Sequence, residues 1–300
     1  MGQTHIRALA PSSTVQIVAA AEPHEVAAAM LRGLGLRVHS TVSDMLDAGN
    51  LDGVLVAAPT DQHLALVEVI ASASLPILCE KPCGLSSVQA HAALDIARRH
   101  GVLLQVGYWR RFVPALQDLK ERIAAGGVGT PYLTMCAQWD QAPPAPQFRR
   151  HSGGIFVDMG VHEIDQIRWL TGQEVAQASA SAFPSVEDQE AVGDVDSAQA
   201  MLTLSGGTAA FISLGRFQPE GDLVATELFG SSDHARVNVI QPADGERPQL
   251  EALRRQAEAF ARCATGGPFE GASIEDAEVA LSVAERLSRA AGLKILGREA

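Results

Sequence analysis

The chain has 300 residues, 47% of them apolar, and a formal net charge of −12, enough for two domains of ordinary size. No apolar run approaches the ~18 residues of a membrane span, and the N-terminus has neither the basic nor the apolar region of a signal peptide. An acidic chain without a basic stripe repels a phosphate backbone, so neither membrane nor nucleic acid is an expected partner.

In chain order, His5, Ile6, Leu9 and Ala10 fall on one side of a helix. "TVQIVAAA" reads as a strand and is followed by an acid, Glu22; "EPHEVAAAMLRGLG" reads as a helix and "LRVHS" as a short strand. "SDMLDAG" is a short helix with Ser43 as a possible N-cap. Then come the strand "LDGVLVAA", the helix "TDQHLALVEVIASA", the strand "LPILCE", the helix "SSVQAHAALDIARRH" stopped by Gly101, and the strand "VLLQVG". Strands that alternate with helices and are apolar on both faces predict a parallel α/β sheet covered on both sides. Gly126, Gly127 and Gly129 break the helix "PALQDLKERIAA", which puts a domain boundary between residues 1–125 and 126–300.

The second half has a different rhythm. "PYLTMCAQWD" is a strand, "QAPPAPQFRRHSGG" a proline-rich loop, and "GIFVDMGVHEIDQIRWL" a helix ended by Thr171 and Gly172. Strand-like stretches follow at 174–182, 195–204, 208–215, 223–230 and 235–240, with Gly206 and Gly207 in a hairpin position. Successive strands with short turns predict an antiparallel or mixed sheet. Helices at about 249–264 and 273–291 close the chain, the last one able to pack back on the first domain.

Chemistry concentrates in a few places. The cysteines Cys79, Cys83, Cys136 and Cys263 match no zinc spacing and make no disulfide framework, as expected of reduced thiols in a cytoplasmic protein. Of 23 basic residues only Lys81, Lys120 and Lys294 are lysines, so a lysine in a special context is a candidate for chemistry that arginine cannot do. Lys81 lies in "CEKPCG", at the carboxyl end of a predicted parallel strand, where ligands bind in such sheets; a surface ion pair of Glu80 and Lys81 before a proline turn fits equally. "DMGVHEID" spaces Asp158, His162 and Asp165 at i, i+4 and i+7, stacking them on one helix face. A carboxylate one turn away can fix an imidazole's tautomer. A core histidine is the plain alternative, and a metal pair has no third ligand at typical spacing. In "QVGYWRRF", Trp109 suits a flat ring, and Arg110 and Arg111 suit hydroxyls or an acid, or else all three simply pack. In "AAPTDQH", Thr60 opens a helix whose N-terminus suits a pyrophosphate or ribose.

Together, "GQTHIRAL", "AEP", "AAPTDQH", "CEKP", "QVGYWRRF" and "SGGIFVDMGVHEIDQIRWLTG" resemble the glucose–fructose oxidoreductase and inositol dehydrogenase family, Gfo/Idh/MocA, over nearly the whole chain. The resemblance implies an α/β Rossmann domain for NAD and an α+β domain whose open, largely antiparallel sheet makes homo-oligomers. It implies an oxidoreductase that moves a hydride between nicotinamide and a hydroxyl of a cyclic polyol or sugar. It also implies roles. Lys81 contacts the substrate hydroxyl and the nicotinamide ribose, and His162 is the general base with Asp158 holding its ring. Glu80, Thr60 and His63 line the cofactor, and Trp109 approaches the nicotinamide. Arg110, Asp158, His162 and Trp139 line the substrate. Gly2 matches the third glycine of the phosphate turn, and Glu22 matches the ribose-binding acid that favours NAD over NADP.

Two features depart from that pattern. Gln138, Trp139 and Asp140 stand where inositol dehydrogenases tend to have His or Arg followed by Asn, which argues against myo-inositol itself. If Gly2 is the third glycine, roughly ten residues carrying the first strand and two glycines belong before Met1. The expectation is then a gene start placed too far downstream, with strands 15–21 and 52–57 on either side of an unfilled position. A nucleotide-sensing regulator of the same fold and an NAD-assisted glycosidase are the competing readings.

Overall fold

The computed structural model describes residues 1–183 and 194–294. The first half alternates as its sequence does: α1 (Gly2–Leu9), β1 (Ala19–Ala21), α2 (Glu25–Gly33), β2 (Arg37–His39), α3 (Val42–Asp47), β3 (Val54–Val56), α4 (His63–Ser72), β4 (Ile77–Cys79), α5 (Ser87–His100), β5 (Leu104–Val106) and α6 (Pro114–Ala124). β3, β4 and β5 pair in parallel, and their apolar side chains are buried because helices cover both faces. β1 pairs in parallel with β2, in a separate two-stranded sheet. β1 and β3 are therefore not hydrogen-bonded to each other, and α1 starts at Gly2 rather than at His5.

Local sequence explains most helix ends. Ser86 caps α5 by accepting the Gln89 amide, and Gly101 ends it in the left-handed region at φ 64°. α3 corrects one expectation: its cap is Thr41, whose hydroxyl accepts the Asp44 amide, and not Ser43. Thr41 lies three residues before Asp44, so the two side chains bond reciprocally, with Thr41 Oγ1 donating to Asp44 Oδ2 at 2.7 Å.

The second half contains β6 (Pro131–Trp139), α7 (Pro146–His151), α8 (Val161–Thr171), β7 (Val175–Phe183), β8 (Ser197–Leu204), β9 (Ala209–Gly215), β10 (Leu223–Gly230), β11 (His234–Ile240), α9 (Arg247–Ala264), β12 (Ala272–Ser273) and α10 (Ile274–Ala290). Six strands form one sheet in the order β11-β10-β6-β9-β8-β7. All its pairs are antiparallel except β6 with β9. Helices α8 and α10 cover β6 and β7, α6 and α9 pack at β11, and among the described residues the opposite face exposes side chains such as Met135 and Met201.

Three details depart from the sequence reading. The proline-rich loop contains α7, started by Pro146 at its first position. The helix beginning near Gly154 opens with a π-helical turn, Phe156–Gly160, before α8. β12, a two-residue strand with no periodicity to betray it, adds antiparallel to β5 of the first-half sheet. α10 packs on α5 and α9 on α1, so both closing helices return to the first half. Among the described residues no helix is long and apolar enough to cross a membrane.

Candidate active site

The site forms where the turn after β4 meets the π-helical turn of the second half. Glu80 is buried, not part of a surface ion pair. Its Oε1 lies 2.6 Å from Nε2 of His5 on α1, and its Oε2 accepts the Lys81 amide at 3.1 Å. Burial pushes this carboxyl up, but the His5 hydrogen bond and the charges of His5 and Lys81 outweigh it and leave it below the usual range. β5 ends against it: a Cβ on Gly107 would stand 3.1 Å from the Glu80 Cα, a tight contact that would press on the Glu80 backbone.

Lys81 points across to the second half. Its Nζ donates to the Asp158 backbone carbonyl at 2.8 Å and lies 3.4 Å from Asp158 Oδ1. Asp158 Oδ2 accepts from Arg216 Nη1 at 3.0 Å. Burial pushes the Asp158 carboxyl up, and the charges of Lys81 and Arg216 overcome it, holding it below its ordinary value. Behind Arg216, Asp194 Oδ2 lies 3.1 Å from Arg216 Nε and accepts from Arg149 Nε at 3.1 Å, and Arg149 Nη2 donates to Asp196 at 3.4 Å. Charges of alternating sign thus run from the β4 turn into the second half.

The expected contact between the Asp158 carboxylate and the His162 ring is absent among the described residues. A π-helical turn, Phe156–Gly160, precedes α8. Asp158 does not hold the His162 ring. It faces Lys81 and Arg216, while Asp165 pairs with Arg111 at 2.6 and 3.0 Å. His162 Nδ1 is buried without a hydrogen-bond partner. Tyr108 and Trp109 meet the ring edge-on, with centroids 5.9 and 6.2 Å away. Burial, and then the charges of Lys81 and Arg110, push the His162 pKa well below its ordinary value, so the imidazole is neutral at neutral pH.

Arg110 is not free to hold a substrate. Its guanidinium bonds the buried Glu163 and donates to Gln138 Oε1 at 2.7 Å. Arg111 is likewise spent, on Asp165, on Asp276 at 3.1 Å and on the Gly271 carbonyl at 2.8 Å. Burial at this depth favours pairing, although Arg110 Nε has no hydrogen-bond partner among the described residues. Trp139 ends β6 half-buried. Its Nε1 donates to Ser213 at 3.1 Å, and its ring covers Gly215, where a Cβ would stand 2.0 Å from a ring carbon. Beside it, burial pushes the Asp140 carboxyl up to about 6; the Asp158 charge adds to this, and the Gln138 hydrogen bond opposes it.

On the cofactor side, Glu22 follows β1 directly, and its Oε1 accepts the His24 amide at 2.9 Å. Thr60 begins the 3₁₀ turn Thr60–Gln62 after β3. His63 has no nitrogen to offer a cofactor, because its two ring nitrogens lie 2.9 Å from the Ala58 and Pro82 carbonyls. It ties the turn after β3 to the turn after β4. Gly2 opens α1 with nothing within 4 Å of a Cβ placed there, so it makes no close helix–strand packing. The donor set fits NAD: the free first-turn amides of α1 suit a pyrophosphate, and the Glu22 carboxylate suits a ribose diol. Among the described residues no cluster of His, Cys, Asp or Glu has the form of a metal site.

Several of these residues escaped the sequence reading. His5 was legible only as one side of a helix. Arg216 had one available signal, a cation placed directly after the apolar strand "AAFISLG".

A parallel α/β half with Glu22, Thr60 and Lys81 at its strand ends, meeting Asp158 and His162 in the helical segment that packs on the inner strands of a mixed sheet, has the layout of a two-domain NAD-dependent oxidoreductase acting on CH–OH groups. Comparisons with known proteins agree. The family model for the oxidoreductase family, NAD-binding Rossmann fold, matches residues 1–108, and that for the GFO/IDH/MocA C-terminal domain matches residues 116–236. The rhizopine catabolism protein MocA of Rhizobium meliloti is 47% identical over 285 residues, covering 95% of this chain and 90% of that protein. The scyllo-inositol 2-dehydrogenase (NAD(+)) of Bacillus subtilis is 30% identical over 257 residues, 80% of this chain and 75% of that protein. The crystal structure of myo-inositol 2-dehydrogenase from Lactobacillus plantarum superposes with a TM-score of 0.88 at 26% identity, covering 98% of this chain and 96% of that one. The chain belongs to the GFO/IDH/MocA family.

Proposed function

We propose that this protein is an NAD-dependent dehydrogenase of a cyclic polyol or sugar, with Lys81 and His162 as its catalytic residues. The observation that carries the assignment is His162: neutral, walled by Tyr108 and Trp109, and with neither ring nitrogen in a hydrogen bond among the described residues. A neutral imidazole with an unspent nitrogen can take the proton of a hydroxyl. Two hydrogens of the Lys81 ammonium face Asp158, which leaves the third for the oxygen that is losing its proton. Asp158 orients Lys81 rather than the imidazole. NAD supplies the hydride acceptor when bound. On this reading residues 1–125 hold the cofactor, and residues 126–300 supply most of the substrate wall, with Trp139 at its rim.

Replacing Lys81 or His162 by Ala should cut kcat by about 10²–10⁴ with the fold intact, read as NADH formation on a panel of inositols and sugars. Near-normal turnover in both variants overturns the assignment, and glycoside cleavage without net NADH favours the glycosidase reading. The four free thiols support a reducing, cytoplasmic setting. The open sheet face supports self-association. Met135 on β6 and Met201 on β8 both pair with Phe211 on β9, a continuous apolar stripe, and the two methionines are exposed. Phe211→Asp should lower the sedimenting mass of an oligomer, and an unchanged mass would count against this face.

A further inference from the structure

We propose that Arg216 is a positioning residue: from the end of β9 it grips one carboxylate oxygen of Asp158, so that the other oxygen and the Asp158 carbonyl hold Lys81 in place. The inference rests on the dehydrogenase reading above.

Arg216 has no solvent exposure. A charge so deep is costly, and burying it as an ion pair seldom adds stability over an apolar residue of similar size. Its pairing is also poorly optimised for stability. Among the described residues Nη2 is buried with no partner, and Nε lies 3.1 Å from Asp194 Oδ2 without an aligned hydrogen bond. The one well-formed side-chain hydrogen bond of Arg216 goes to Asp158 Oδ2, at 3.0 Å.

The backbone is built for the same contact. Asp158 lies in the π-helical turn that precedes α8, and Arg216 meets it immediately after β9. The Arg216 amide donates to the Asp196 carbonyl at 2.7 Å, which ties the start of the side chain to β8. Asp158 is thereby held on two sides by cations from opposite halves of the molecule. The charged groups around it are Lys81 from the β4 turn, Arg216 from the end of β9 and Asp140 after β6, with the neutral His162 four residues further along the chain. Without Arg216 the carboxylate has no anchor on the second half, and it takes a proton more readily. Lys81 then loses its fixed direction.

The test compares Arg216→Gln, Arg216→Lys and Asp194→Asn/Arg216→Gln in the full chain. The double variant removes both buried charges and carries the same readouts if the single change does not fold. Three results are expected. kcat falls about 10–100-fold and its acid limb moves to higher pH, while KM for NAD is unchanged and Arg216→Lys recovers most of the loss. In an Asp158→Asn background the Arg216 change costs nothing further. Without turnover, the rate at which an amine-directed acylating reagent modifies Lys81, followed by peptide mass spectrometry, rises several-fold. Faster Lys81 labelling with unchanged turnover supports the positioning role and overturns the catalytic role of Lys81. Unchanged labelling, or an equal loss of kcat in the Asp158→Asn background, overturns the positioning role.

Discussion

Asp140→Asn removes one titratable group and little else, since asparagine can still accept the hydrogen bond that Gln138 donates at 3.3 Å. The Asp140 carboxyl is pushed from an ordinary 3.8 up to about 6 in the folded chain. The folded state therefore binds this proton more tightly than the unfolded state does. The carboxyl costs nothing below about pH 4. The cost grows as pH rises and is complete above the folded value of about 6. Roughly two units at ~1.36 kcal/mol each set a ceiling of about 3 kcal/mol, and solvent reaching the half-buried group lowers this to about 2 kcal/mol. Urea unfolding at pH 8 should then show Asp140→Asn more stable than the parent by about 2 kcal/mol, and by about half that at pH 5. A gain of equal size at both values, or a loss at pH 8, would refute the reasoning. A loss would mean that the carboxylate stabilises Arg216 more than burial penalises it.

Arg110→Ala should cost about 3–5 kcal/mol of stability by leaving Glu163 buried and unpaired, and Arg110→Ala/Glu163→Ala should return much of it. If Arg110→Ala instead raises KM for the polyol at unchanged stability, Arg110 is a substrate residue after all. For the cofactor, fluorescence titration should give tighter binding of NAD than of NADP, because a carboxylate repels a 2′-phosphate. Glu22→Ala should narrow that gap about tenfold or more, and a tighter NADP complex in the parent chain would show that Glu22 does not face the ribose.

How far the sequence reached depended on how local the cause was. The alternation of β3, β4 and β5 with helices was legible because parallel strands buried on both faces must be apolar throughout. The place of Lys81 was legible too, since it follows an apolar strand and precedes a proline. What could not be read was pairing at a distance. The spacing of Asp158 and His162 is that of a regular helix, and nothing in "FVDMG" announces the π-helical turn there or the distant partners that Asp158 takes. Arg110 and Arg111 look available in one dimension. Their partners, Glu163, Asp165 and Asp276, lie 53, 54 and 165 residues further on. The capping choice at Thr41 was within reach, because the amide it caps, that of Asp44, lies only three residues away.

The strand β12 gives the fold an order in time. Synthesis runs from the N-terminal side, and the parallel sheet of the first half could begin to assemble once residue 106 is free. Its outer strand, β5, has no partner on that side until Ala272 and Ser273 arrive. Through most of synthesis the nascent chain therefore carries an open strand edge, the feature that recruits wrong partners. The helices that seal the first half, α9 against α1 and α10 against α5, are likewise made well after it. The two halves do not mature as beads on a string; the first is finished by the end of the second.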